Sequence, residues 1–291
     1  MTENTARTHT EHTPTPPVLV VGATGKTGRR VADLLAGRGH PVRRASRSST
    51  TTFDWTDRST WAPALDGAGP VYISYQPDLI VPGATDDIAE FVRLAERAGV
   101  ARLVLLAGRG EPEAEAAADL VHASDIDSTV LSCAWFNQNF SEGGFAPEIA
   151  AGSLTLPVPP VGEPFVDADD IAEVAVAALL DQTADGTSRH AQQTYELTGP
   201  RLLTFADVAE EIGRTRGGQV TFTRVDSDAY RNLLAQFGVP EQETDLLLAL
   251  FEILFDGRNS RVSDDIARVL RRQPTDFTEF AESIAQEAVS L

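Results

Sequence analysis

Val18-Leu19-Val20-Val21-Gly22-Ala23-Thr24-Gly25-Lys26-Thr27-Gly28 sets three glycines at a three-residue spacing, directly after an apolar run and ahead of a stretch with helical periodicity. In a first strand–turn–helix unit, such glycines let the backbone turn tightly, approach a pyrophosphate, and pack helix against strand. The N-terminus of the helix then presents free N–H groups to the anion. The spacing is GxxGxxG and not the commoner GxGxxG. A glycine-rich turn can also be merely a loop, and it is the position between strand and helix that makes this one a dinucleotide cradle. The cradle residues are Gly22, Thr24, Gly25, Lys26, Thr27 and Gly28, and Lys26 is the only lysine in the chain.

Outward from the loop, apolar strands and helical periods alternate. Val18–Val21 reads as a strand, Val31, Leu34 and Leu35 as one face of a helix, and Val42–Arg47 as a second strand. Further strands are expected at Thr52–Trp55, Val71–Tyr75, Arg102–Leu106 and Ser128–Cys133, with helices at Asp86–Ala98 and Glu113–Ala123. This alternation implies an α/β fold: a doubly wound parallel Rossmann sheet covered on both faces. Beyond about Trp135 the order changes to Gly- and Pro-containing loops around helix Ala168–Leu180 and strand Gln193–Leu197. Helices at Phe205–Arg214, Ser227–Phe237, Glu243–Leu254, Asp264–Arg271 and Phe277–Ala288 follow. The expected organisation is a disordered leader over 1–16, a dinucleotide-binding domain over 17–150 to which a later strand and helix return, and a smaller, mainly helical substrate lobe over 151–291.

Composition restricts the partners. With 24 Lys plus Arg against 43 Asp plus Glu, the net charge is −19, and the protein's field repels nucleic-acid backbones and anionic membranes. No segment approaches the roughly 20 apolar residues of a membrane span. The single cysteine, Cys133, excludes an intrachain disulfide, and the few histidines form no metal-ligand spacing. A cytoplasmic location, a small hydrophobic substrate and no nucleic-acid or membrane partner are expected. A homodimer is compatible with this reading.

Cofactor choice is written at the end of the second strand, where an acid binds a ribose 2′-hydroxyl and an arginine a 2′-phosphate. Val42-Arg43-Arg44-Ala45-Ser46-Arg47 carries no acid there, and the next is Asp54. NADP(H) is therefore expected over NAD(H), with Arg47 and Ser46 as the phosphate partners. A solvated basic turn is the competing reading.

The stretches VLVVGATGKTGRRVADLL, WFNQNF, PFVDADDIAEVAVAALL, YELTGPRLLTFADVAEEI and RRQPTDFTEFAES resemble the NmrA-like branch of the atypical short-chain dehydrogenase/reductases, from about Pro17 to Ala288. The resemblance implies a Rossmann NADP(H) domain with a C-terminal substrate lobe. It also implies a reductase of quinones, other carbonyls or alkenes, or else a cofactor-binding regulator without turnover.

The Tyr-x-x-x-Lys pair of typical short-chain dehydrogenases, in which lysine lowers the phenol pKa for proton relay, has no counterpart here. By the resemblance its two positions fall near Gly110 and Ala114, and the serine often found after the fifth large strand is replaced by Ala107-Gly108. Easily reduced acceptors need little acid–base help, because positioning over the nicotinamide supplies much of the rate. Another group can act as the acid, or there is no chemistry. Tyr72 and Tyr75 should point to opposite faces of their strand, and Tyr75, nearer its carboxyl end, is the candidate acid. Trp135, Phe136 and Asn137 follow a core strand and are the candidate substrate pocket, with Asn137 also a candidate catalytic contact. Asp167, Asp169 and Asp170 read as a helix cap and interdomain turn in preference to a cation site. The functional expectation is an NADPH-dependent reductase. The alternatives are an NADP(H)-sensing regulator that binds a protein partner, and a non-redox isomerase or cyclase.

Overall fold

All four residues of Val18–Val21 (β1) are buried, as an interior strand of a sheet covered on both faces must be. The computed structural model describes residues 15–289, so the leader falls almost wholly outside the described residues. After β1 come helix Lys26–Gly37 (α1), strands Val42–Ser46 (β2) and Thr51–Thr52 (β3), helix Trp61–Leu65 (α2), strand Pro70–Ile73 (β4), helix Ala84–Arg97 (α3), strand Arg102–Gly108 (β5), helix Pro112–His122 (α4) and strand Asp127–Cys133 (β6). The chain continues through helix Ala146–Ala150 (α5), strand Ser153–Leu156 (β7), helix Ala168–Leu180 (α6), strand Gln193–Leu197 (β8), helix Phe205–Thr215 (α7), strand Thr221–Arg224 (β9) and helices Ser227–Gln236 (α8), Glu241–Leu254 (α9), Asp265–Leu270 (α10) and Phe277–Val289 (α11).

Seven strands pair in parallel in the order β3-β2-β1-β4-β5-β6-β8, the doubly wound arrangement with its crossover between β1 and β4. Alternate side chains of β1 serve two cores: Leu19 and Val21 join Trp61, Phe91 and Leu105 on one face, while Val18 and Val20 join Val31, Leu35 and Ile171 on the other. Helix α6, apolar nearly all round, packs against α1 and closes the second face, and β8 extends the same sheet beyond β6.

A third core, rich in phenylalanine, holds the remaining helices and the small parallel pair β7–β9. Phe165 and Phe205 meet edge-to-face at 5.2 Å, an arrangement aromatic quadrupoles favour. Arg201 fastens this lobe by binding Glu211 of α7 and Asp276 ahead of α11, each at 2.7 Å.

Three strands end before the periodicity predicts: β2 stops one residue early, at Ser46, and two others are cut back further. The strand expected to reach Tyr75 ends at Ile73, because Gly22 turns β1 away and β1 pairs with β4 only at Leu19–Val71 and Val20–Tyr72. The strand expected over Thr52–Trp55 is confined to Thr51–Thr52, since Phe53 and Trp55 turn into an aromatic cluster with Trp61 and Phe91.

Candidate functional site

The carboxyl ends of β1, β2, β4, β5 and β6 open onto one cleft of about 960 Å³. Doubly wound sheets bind ligands at this edge. One end of the cleft is formed by the glycine loop and Ser46–Arg47, the other by α9 and the segments after β5 and β6.

The three glycines are required for different reasons. Gly22 has φ +77°, and a Cβ there would meet Ser74 Cβ at 3.0 Å. At Gly28 a Cβ would lie 2.2 Å from Gly22 O, so this glycine lets α1 touch the turn. Gly25 is exposed, with φ −76°, and its Cβ would find only Gly22 O, at 3.3 Å. Its backbone does not require glycine, and a Cβ would press on one backbone oxygen by only a few tenths of an ångström, so glycine at 25 chiefly leaves a clear approach from the cleft to the start of α1. Among the described residues no side chain caps that helix, so the N–H groups of its first turn remain for an anion.

Thr24, Gly25, Lys26 and Thr27 line this end, whereas Gly28 is buried beneath it. Thr27 is buried and accepts the Tyr72 hydroxyl at 2.9 Å. Burial lowers the Lys26 pKa, against the opposing charge of Glu142. Glu142 binds Arg29 and Arg30 at 2.7 Å each and so holds the loop carrying Gly143 against α1. Arg47 is exposed at the cleft, and Ser46 Oγ is engaged with Ser49 Oγ at 2.7 Å. An exposed cation in the same cleft as an uncapped helix start suits a dinucleotide bearing an additional phosphate.

At the far end, Trp135 lies against Phe145, Phe251 and Phe255, with ring centroids 6.4, 5.8 and 5.4 Å away. Leu247, Leu250 and Leu254 of α9 complete an apolar wall. Trp135 and Phe136 both face the cleft as the sequence suggests. Asn137 does not: it is fully buried, its N–H bonds Val166 O at 2.8 Å, and its amide reaches Asp167. The short 3₁₀ turn over Asn137–Phe140 directs Asn139 to the cleft in its place.

Tyr75 also lines the cleft, on the face opposite Tyr72, but its hydroxyl donates to Asp87 at 2.9 Å and its ring lies 4.7 Å from Trp55. Burial and that carboxylate raise its pKa further. The three aspartates divide their work: Asp167 caps α6 through Asp169 N at 2.8 Å, Asp169 pairs with Arg30, and buried Asp170 binds Thr275 N and Arg272, both at 2.6 Å. They tie the lobe to the sheet.

The cleft holds acids that sequence reasoning passed over. Glu163, buried at the base of the lobe, accepts the Trp135 N–H at 3.0 Å. Burial pushes its pKa up to about 7, against that hydrogen bond and the nearby Arg109. Buried Glu111 is the residue before α4, and half-buried Asp78 follows β4. In the sequence they are inconspicuous members of RGEPEAE and YQPDL, and only the fold brings them together.

No protein-family model matches the chain. Among curated proteins, it is 29% identical over 289 residues to an uncharacterized oxidoreductase YesF of Bacillus subtilis, covering 92% of this chain and 95% of the relative. It is also 29% identical to festuclavine dehydrogenase of Aspergillus fumigatus, over 91% of this chain and 96% of that one. Its fold matches the Citrobacter triphenylmethane reductase complexed with NADP(H), with a TM-score of 0.72 and 21% identity over 92% of this chain and 99% of the other. The Escherichia coli quinone oxidoreductase complexed with NADPH matches at 0.72 and 19% over the same shares. The transcriptional regulator NmrA, in complex with NAD, matches at 0.68 and 16% over 94% and 98%. The chain is a relative, along nearly its whole length, of proteins named oxidoreductase and dehydrogenase, and it carries the fold of the NmrA-like, atypical short-chain dehydrogenase/reductase proteins.

Proposed function

We propose that the protein is an NADPH-dependent reductase of a hydrophobic quinone-like, carbonyl or activated-alkene small molecule. The observation that carries this reading is the continuity of one cleft from an uncapped, glycine-cleared helix start to a wall of Trp135 and α9 leucines. The names of the relatives support the reaction class: a dehydrogenase, a dye reductase and a quinone oxidoreductase.

In this reading Gly22, Gly25 and the first turn of α1 receive the pyrophosphate, while Lys26 and Arg47 supply positive charge and Arg47 takes the 2′-phosphate. The bound dinucleotide supplies a hydride. Trp135, Phe136 and the leucines of α9 exclude water and orient an aromatic or cyclic acceptor. Tyr75 contributes its ring to the wall, and Asn137 positions Trp135 and Phe136 from behind. Residues 17–150, with α6 and β8, form the cofactor domain, and the rest of 151–291 forms the substrate lobe. A cytoplasmic location and, compatibly, a homodimer belong to the same reading.

The test is NADPH oxidation against a panel of quinones, enones and simple ketones. Turnover with quinones or enones, faster with NADPH than with NADH, is expected. Tight binding without oxidation of any acceptor would replace the enzyme with a cofactor-sensing regulator, the reading that the missing Tyr-Lys pair favours.

A further inference from the structure

Glu111 stands at the N-cap of α4, yet its side chain caps no N–H of that helix; it turns back over Gly108, at the end of β5. A Cβ at Gly108 would lie 1.9 Å from Glu111 Oε1 and 2.2 Å from its Cδ, so the carboxyl fills the space that any side chain at 108 would occupy. Both residues line the cleft, and so does Asp78, whose carboxyl acts on that of Glu111, while Glu111 Oε2 is buried with no hydrogen-bond partner among the described residues. Two carboxyls in such contact cannot both be charged at neutral pH and share a proton. The titratable groups facing Glu111 are Asp78 after β4, Glu113 in the first turn of α4 and the thiol of Cys133 at the end of β6. None of these is a cation.

We propose that Glu111, paired with Asp78, is the proton donor of the cleft, supplying the proton that a tyrosine would otherwise give. The inference rests on the reductase reading. As hydride is received at the electron-poor carbon of a quinone or enone, the π pair moves to the acceptor oxygen. The Glu111 O–H bond then breaks, its electron pair stays on the carboxylate, and a new O–H bond forms on the acceptor. NADPH is oxidised to NADP⁺ and the acceptor is reduced by one hydride and one proton. The adjacent charges then repel, and half-buried Asp78, nearer solvent, takes up a proton from water and passes it to Glu111. Burial first, then Asp78, holds Glu111 well above the ordinary carboxyl range, as a donor at neutral pH requires.

The first readout needs no turnover. Infrared titration of the cofactor-free protein should show, beside the band of Glu163, a second carboxylic-acid carbonyl band at pH 7 that is absent from Glu111→Gln and shifted in Asp78→Asn. With NADPH and an enone, Glu111→Gln should lower kcat roughly 100-fold or more, with NADPH affinity within about threefold of the parent. The parent should lose rate as pH rises above neutrality, and Glu111→Gln should abolish that loss. Gly108→Ala keeps the glutamate but displaces its flexible carboxyl, and should reproduce the same rate loss in a folded protein. Turnover with an unchanged pH profile in Glu111→Gln, or a parent spectrum without the second band, overturns the donor assignment alone. A parent that reduces no acceptor overturns the reductase reading and the donor role with it.

Discussion

Gly25→Val separates what the fold needs from what the ligand needs. The new Cβ meets only one backbone atom, at 3.3 Å, and the φ of −76° is open to any residue. The cost to folding is that of a poorer N-cap together with a shift of a few tenths of an ångström at Gly22 O, about 1–2 kcal/mol in all. Gly28→Ala is the contrasting change, since its Cβ would sit 2.2 Å from Gly22 O and 2.8 Å from Gly22 C, both backbone atoms that cannot swing aside. Moving α1 off the turn should cost about 1–3 kcal/mol, the range for overpacked sites. In binding the order reverses in informativeness: Gly25→Val should weaken NADPH at least ~100-fold, about 2.7 kcal/mol, while retaining the parent's circular dichroism and a nearly parental urea midpoint. Titration of the fluorescence of Trp55 and Trp135, which both line the cleft, gives the affinity. Parental NADPH affinity in a folded Gly25→Val variant would refute the argument that this glycine exists for the ligand.

Arg47→Ala should lower NADPH affinity about tenfold, the lower end for a charge-assisted contact because the side chain is exposed, and leave NADH within about threefold; equal affinities for both nucleotides in the parent would remove Arg47 from that role. Glu163 is buried and held at about 7 against an ordinary 4.5, so the native state keeps a proton that the unfolded chain has released. Its contribution to stability is full below pH 4.5 and is lost as pH rises to about 7, by up to about 1.4 kcal/mol per pH unit. Glu163→Gln should flatten that slope in urea melts at pH 5 and pH 8, and an unchanged slope would contradict the burial argument.

The sheet was legible because β1, β5 and β6 are short apolar runs with glycine or polar punctuation, and because one glycine loop fixes where the first helix starts. Strand ends were less so: whether Ser74 and Tyr75 pair depends on where β1 turns away, a property of the neighbouring strand. The same division holds at the site. Thr24 to Thr27, Ser46 and Arg47 are local to strand ends and could be placed from order alone, as could Trp135 and Phe136. Asn137 could not, because the 3₁₀ turn after Phe136 exchanges the facing of alternate residues and brings Asn139 forward. Glu111 and Asp78 lie far apart in sequence and meet only through adjacent strands of the sheet. The one local trace of their contact is Gly108, read in the sequence as a lost serine and seen in the fold as space for a carboxyl.

In the proposed reaction hydride passes directly from NADPH to an acceptor held in this cleft. This transfer is tested most directly with NADPH deuterated at either face of the nicotinamide C4 and the acceptor most rapidly reduced in the panel, by mass spectrometry of the product and of the recovered cofactor. Deuterium lost from one face only, and carried into the product of a carbon-centred acceptor such as an enone, is the predicted result. Bound NADPH that keeps its label with every acceptor, or loses it from both faces alike, would contradict the account.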